Sequence, residues 1–94
     1  MNKYESVIII NDSLTEEQKK DTIEMVQKFI SENGELDKTD ILGSKRLAYE
    51  IRGQKTGYYC VFYFNAKPTI ISELERIYRI TEEIMKFMSV RVDE

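Results

Sequence analysis

Residues 4 to 10 run Tyr-Glu-Ser-Val-Ile-Ile-Ile and then break into Asn11-Asp12-Ser13, so a β-branched stretch closed by turn residues predicts a first strand over Tyr4 to Ile10. Val7 to Ile10 do not alternate with polar residues, which predicts a central strand covered on both faces. Beyond the turn, Thr15-x-x-Gln18, or alternatively Ser13-x-x-Glu16, offers a capping box, and Glu16 and Glu17 suit the positive end of a helix dipole. Ile23, Val26 and Ile30, flanked by Met25 and Phe29, then follow the three-and-four spacing of one buried stripe. Asn33-Gly34 predicts a left-handed stop to this helix.

From Glu35 to Ile51 the apolar residues are scattered among charges, with Gly43 in the middle, and the pattern predicts a long strand bent or bulged near that glycine. Gly53-Gln54-Lys55-Thr56-Gly57 reads as a turn cluster, and the aromatic run Tyr58 to Phe64 as the strand that follows it, so the two strands form an antiparallel hairpin. Pro68 fits the first turn of a second helix, whose stripe is Ile70, Ile71, Leu74, Ile77 and Tyr78. Thr81-Glu82-Glu83 leads into a last strand, Met85 to Val92.

Strand, helix, strand, strand, helix, strand is two βαβ halves. Right-handed crossovers in both put the two helices on one face of a four-stranded antiparallel sheet, an α+β arrangement of the ferredoxin-like type. With 94 residues there is material for a single core, and the chain is read as one domain over 1–94. The other face of such a sheet has no helix on it, yet the strand pattern still places apolar and aromatic side chains there. An uncovered apolar face is most simply explained by a partner.

Composition narrows the chemistry. There is no His, no Trp and one Cys, which excludes a Ser-His-Asp or Cys-His pair, a Cys/His zinc site and an internal disulfide. Cys60 lies inside an aromatic run and is read as a buried core residue in a reducing compartment. Gly34, Gly43, Gly53 and Gly57 form no phosphate-cradling pattern, and the acidic pairs Glu16-Glu17 and Glu82-Glu83 sit where helix starts and turns favour acids. No catalytic residues, metal ligands or cofactor site are predicted. The four-residue aliphatic run near the amino terminus is too short for a signal-peptide core or a membrane span, so a cytoplasmic protein is expected.

Charge changes the picture once it is placed along the chain. The formal net charge of −3 speaks against a nucleic-acid partner, but residues 1–42 carry five basic groups against ten acidic, while residues 43–94 carry nine against seven. From Lys45 to Lys67 there are five basic residues and one acid, Glu50. Lys45-Arg46 ahead of Leu47-Ala48-Tyr49 suits phosphate contact, and equally suits a strand edge protected from aggregation by charge. The six tyrosines fit either stacking platforms or sheet-forming core residues. RNA-recognition motifs share this topology, but Thr56 to Tyr63 lacks the basic start and second small residue of their third-strand signature.

Lys3-Tyr4-Glu5, Gly43-Ser44-Lys45-Arg46-Leu47-Ala48-Tyr49, Gly57-Tyr58-Tyr59, Leu74-Glu75-Arg76 and Arg79-Ile80-Thr81 coincide in one short chain. In order and spacing, from about Met1 to Val92, they resemble the family of the sixth protein of the bacterial small (30S) ribosomal subunit. The resemblance implies a ferredoxin-like fold, no enzymatic activity, and binding to the central domain of 16S ribosomal RNA as a heterodimer with the eighteenth small-subunit protein. Such a partner would itself supply phosphate neutralisation, which is compatible with an acidic chain. On this reading the protein is a ribosomal scaffold, with Lys45, Arg46, Lys86 and Arg91 as RNA contacts and Tyr4 and Tyr49 as flat contacts. Glu50 stands where many members have Pro after the Ala-Tyr pair, placing a negative charge beside the basic segment. The rival from another class is a ligand-binding or homodimeric module on the same topology. An acylphosphatase-like site would want an Arg near the loop after the first strand, where Asn11-Asp12-Ser13 is acidic instead.

Overall fold

A computed structural model describes residues 1–92 and contains six elements: β1 (Asn2–Asn11), α1 (Glu16–Asn33), β2 (Gly34–Ile51), β3 (Gln54–Ala66), α2 (Pro68–Ile80) and β4 (Ile84–Arg91). The last two positions of the expected 1–94 domain lie outside the described residues. The strands form one antiparallel sheet in the order β2-β3-β1-β4, the ferredoxin-like topology.

β1 and β3 are the central pair, and their alternate residues make the floor of the core. Tyr4, Ser6, Ile8 and Ile10 stand opposite Phe64, Phe62, Cys60 and Tyr58. Ile23, Val26 and Ile30 of α1 and Leu74 and Tyr78 of α2 close over this row, so both helices lie on one face. Ser6 is the polar member of the row. Its buried hydroxyl lies 2.7 Å from the Tyr78 hydroxyl and 3.0 Å from the Ser89 hydroxyl, so two strands and one helix share one polar chain. Among the described residues no buried side-chain polar atom is left without a partner.

Local chemistry sets most boundaries. Of the two capping boxes, Thr15 and Gln18 form the real one: the Gln18 amide N–H donates to Thr15 Oγ1 at 3.1 Å and the Thr15 amide N–H to Gln18 Oε1 at 3.0 Å. Ser13 instead donates to the Asn11 side chain. Gly43 has φ +80 and sits at a register shift between Ile41 and Gly43, as the bent-strand pattern anticipates. Pro68 opens α2 at its first turn.

Three expectations are corrected. Gly34 is not a left-handed stop: it is extended (φ −171) and is the first residue of β2, paired with Ala66. A Cβ there would run into the Asn65 carbonyl oxygen, so close backbone approach is what calls for glycine. The hairpin turn is not the whole cluster from Gly53 to Gly57 but Arg52-Gly53 alone, with φ of +51 and +77 and Ile51 paired to Gln54, a two-residue turn of the kind that matches strand twist. Gln54 to Gly57 already belong to β3. Finally, β1 is central in the sheet but has helices on only one face. On the other, Ile9 is 8% exposed and Val7 half-buried, sheltered by neighbouring side chains instead.

Ser6→Ala removes the partner of the Tyr78 hydroxyl inside the core. It is expected to destabilise the fold by about 1–3 kcal/mol, the cost of a buried polar group left unpaired. Urea denaturation should show a lower midpoint at unchanged slope.

Candidate functional site

The strand residues that alternate with the core row point to the helix-free face. Val7 and Ile9 of β1, Tyr59, Val61 and Tyr63 of β3, and Lys86, Met88 and Val90 of β4 share it through directly opposed positions. Met88 is 60% exposed and Val90 44%, large apolar side chains presented side by side on one edge of the sheet. Val7, Ile9, Tyr59, Lys86 and Met88 line a shallow groove of about 300 Å³.

One end of this face is shaped by an irregularity in β2. Arg46 pairs with Thr56 and Ile51 with Gln54, so Leu47, Ala48, Tyr49 and Glu50 stand against a single residue, Lys55, and the edge strand bows out. Leu47 is buried where this bow meets Gly57: a Cβ on Gly57 would lie 3.2 Å from Leu47 Cδ2 and would collide with the Ile9 side chain. Tyr49 reaches β4, where Lys86 Nζ donates to its hydroxyl at 3.0 Å and lies 5.2 Å from its ring centroid. The hydrogen bond from Lys86, and then its charge, hold the Tyr49 phenol below its usual value, while the same bond raises Lys86. At the turn itself, Arg52 Nη1 donates to the Glu82 carbonyl at 2.9 Å. The hairpin end is thereby tied to the start of β4 at two points.

The six sequence-predicted contacts do not converge on one patch. Lys45, opposite Gly57, lies on the helix-free face with Lys86 and Tyr49 near the same end of the sheet, and all three are exposed. Arg46 is exposed on the next position of β2, one step along the alternation, beside Tyr49 and Lys55. Arg91 is exposed but stands opposite Tyr4, five residues along β4 from Lys86, roughly 17 Å away at about 3.3 Å per residue. Tyr4 is not a surface platform. It is 8% exposed and its ring stacks on Phe64 at 5.7 Å inside the core, because position 4 falls in the row that faces the helices. Nor is the basic stretch from Lys45 to Lys67 one surface, since Lys67 caps α2 at the far end of β3.

Sequence reasoning missed a polar cluster beside the basic segment. The Asp12 carboxylate accepts from Lys19 Nζ at 3.1 Å and Ser44 Oγ at 2.8 Å on one oxygen, and from Thr56 Oγ1 at 2.7 Å on the other. Lys19 is 6% exposed, with its ammonium also 4.7 Å from the centroid of Tyr58 and 3.6 Å from Glu16. The hydrogen bonds from Thr56 and Ser44, followed by the contribution of Lys19, hold the Asp12 carboxyl below its ordinary value. Burial opposes the charge on Lys19, but its bond to Asp12 and the nearby carboxylates outweigh this and raise it. Asn11-Asp12-Ser13 looked like turn chemistry only, and nothing local in the sequence connects it to Ser44 or Thr56. Cys60 is wholly buried, and burial pushes its thiol up to about 12, which leaves it unreactive. Among the described residues no group of three potential ligands could hold a metal ion, and no helix is long and apolar enough to cross a membrane.

The profile of the ribosomal protein S6 family matches residues 3–91. The chain belongs to the S6 family. It is 42% identical over 94 residues to small ribosomal subunit protein bS6 of Helicobacter acinonychis, covering 99% of this chain and 66% of that relative, so it spans just under two thirds of the Helicobacter protein. Against bS6 of Caldanaerobacter subterraneus subsp. tengcongensis the identity is 37% over 95 residues, with both chains covered in full. The crystal structure of 30S ribosomal protein S6 from Thermotoga maritima superposes with a TM-score of 0.92 at 36% identity, covering 97% of this chain and 87% of that one. S6-family proteins are structural constituents of the small subunit of the cytoplasmic ribosome rather than enzymes.

Two measurements test the geometry. In Lys86→Met the Tyr49 phenol is expected to titrate at higher pH than in the parent, followed by tyrosine ring resonances; an unchanged midpoint would show that the contact is not kept in solution. The Asp12 carboxyl is depressed in the folded state, so the stability it contributes is complete above the unfolded pKa of about 3.9 and is lost as pH falls through the folded value. Asp12→Asn is therefore expected to flatten the acid limb of a pH series of urea denaturations, with the difference from the parent shrinking below about pH 4.

Proposed function

We propose that this chain is an assembly scaffold that binds 16S ribosomal RNA together with the eighteenth small-subunit protein, as a heterodimer. The observation that carries this reading is the juxtaposition of an exposed apolar sheet face with a basic end. Met88 and Val90 offer dry surface to a protein, and Lys45 and Lys86 lie on the same face at the end where β2 bows, with Arg46 at the adjoining edge. Apolar surface suits the protein partner, because burying it is favourable without demanding charge neutralisation. Lysine and arginine suit phosphate, whose contacts position a protein on RNA without reading its sequence.

Tyr49 fits this role as a flat contact beside Lys86, since the residue is 63% exposed at the hairpin end. Arg91 would serve a separate contact at the opposite end of β4. Tyr4 supports the surface from within the core and touches neither partner. A net charge of −3 is no obstacle, because phosphates respond to the local arrangement and a basic partner is drawn to acidic surface elsewhere on the chain.

Lys45→Ala combined with Arg46→Ala tests the proposal in a complex with the eighteenth small-subunit protein and a central-domain 16S RNA fragment. Removing two phosphate contacts should weaken binding and lower the slope of log affinity against log salt by roughly 1.4–1.8, while thermal unfolding stays close to the parent. Affinity and slope that do not move would take this segment out of the RNA interface.

A further inference from the structure

The basic segment of β2 is short of support from the sheet itself. β2 is an edge strand, and its register shifts between Ile41 and Gly43 and again between Arg46 and Ile51. Gly43, Ser44, Lys45 and Arg46 are the residues in regular pairing between these breaks, opposite Tyr59, Tyr58, Gly57 and Thr56. Four residues between two bulges, the first of them Gly43 at φ +80, are weakly held by a single ladder.

The Asp12 carboxylate lies against this piece of strand. Its bonds run to Ser44, the residue before Lys45, and to Thr56, the register partner of Arg46, so they bracket the two basic residues from both strands of the hairpin. The carboxylate is itself anchored: its side chain is 15% exposed and is bonded to Lys19, whose ammonium is buried against the Tyr58 ring. A charge-assisted bond is shorter and stronger than a neutral one, and two of them from one anchored group hold both strands at once. Side chains alternate across a strand, so a fixed Ser44 commits Lys45 to the helix-free face.

We propose that Asp12 is a positioning residue for RNA binding: anchored by Lys19, it holds Ser44 and Thr56 so that Lys45 and Arg46 are presented in one orientation before RNA arrives. This rests on the reading of Lys45 and Arg46 as RNA contacts. Without the tie, the segment has to be ordered on binding, and affinity falls by the fraction of molecules in which it is in place.

Ser44→Ala with Thr56→Val removes both ties and leaves the buried Asp12–Lys19 pair intact, so the fold is spared the cost of an unpaired buried charge. Amide hydrogen exchange on the protein alone should quicken at residues 44–46 and 56 while the amides of β1 and β4 keep their protection. Exchange that does not change in the hairpin would overturn the proposal whatever RNA does. Against the same RNA fragment and partner protein, the variant should lose about fivefold to tenfold in affinity in the parent background, the scale of a segment only partly populated in its binding form. In the Lys45→Ala, Arg46→Ala background it should lose almost nothing more. An equal loss in both backgrounds would mean that the ties act elsewhere and would overturn positioning. If Lys45→Ala with Arg46→Ala has no effect by itself, the RNA contact is wrong, and the positioning of the segment is then decided by the exchange measurement.

Discussion

Burial on one face of the sheet is the constraint from which the rest of this molecule follows. Ile8, Ile10, Cys60, Phe62 and Phe64 are enclosed by α1 and α2, and because strand side chains alternate, enclosing that row leaves the row of Val7, Ile9, Tyr59 and Met88 on the other side. A slip of one residue would exchange the two rows. Hydrophobic burial alone penalises such a slip weakly in β1, where Val7 to Ile10 are apolar on both faces. The hydroxyl chain of Ser6, Tyr78 and Ser89 discriminates far better, because it is satisfied in one register and stranded in the next.

The edge strand β2 lives under looser rules. β3 has neighbours on both sides and pairs without a break to β1, whereas β2 shifts register three times against it. Two of these irregularities coincide with something the surface uses: a glycine bend before Lys45, and a bow after Arg46 that carries Leu47 onto Gly57 and Tyr49 to Lys86. An edge strand can accommodate extra residues because one side of it has no ladder to disrupt. The looseness then calls for side-chain ties. Asp12, Arg52 and Lys86 provide them from the β1–α1 turn, the hairpin turn and β4.

Charge totals were a poor guide for a related reason. Much of the acid lies in α1 and the first half of β2, while Lys45 and Lys86 come to the same end of the helix-free face, with Lys86 bonded to Tyr49 of β2, through pairings that no charge count contains. Lys19 counts as one more surface cation in composition, yet it is buried and committed to Asp12, so it contributes to cohesion instead of to an external field.

By itself the sequence determined the element order, the two helical stripes, a capping box at the start of α1, the bend at Gly43 and the family, because each is carried by neighbouring residues or by their spacing. It determined that Lys45 and Arg46 belong to a strand. Only the tertiary structure decided that Tyr4 belongs to the core, since the row that faces the helices is chosen by pairing with Phe64 and not by anything at position 4. The same holds for Gly34, whose need for a missing Cβ comes from the Asn65 carbonyl across the sheet, and for Asp12, whose partners are 32 and 44 residues away. Periodicity and turn chemistry are local and can be read along the chain. Close approach, charge pairing and the choice of face depend on which distant residues arrive, and that is settled when the sheet closes on its helices.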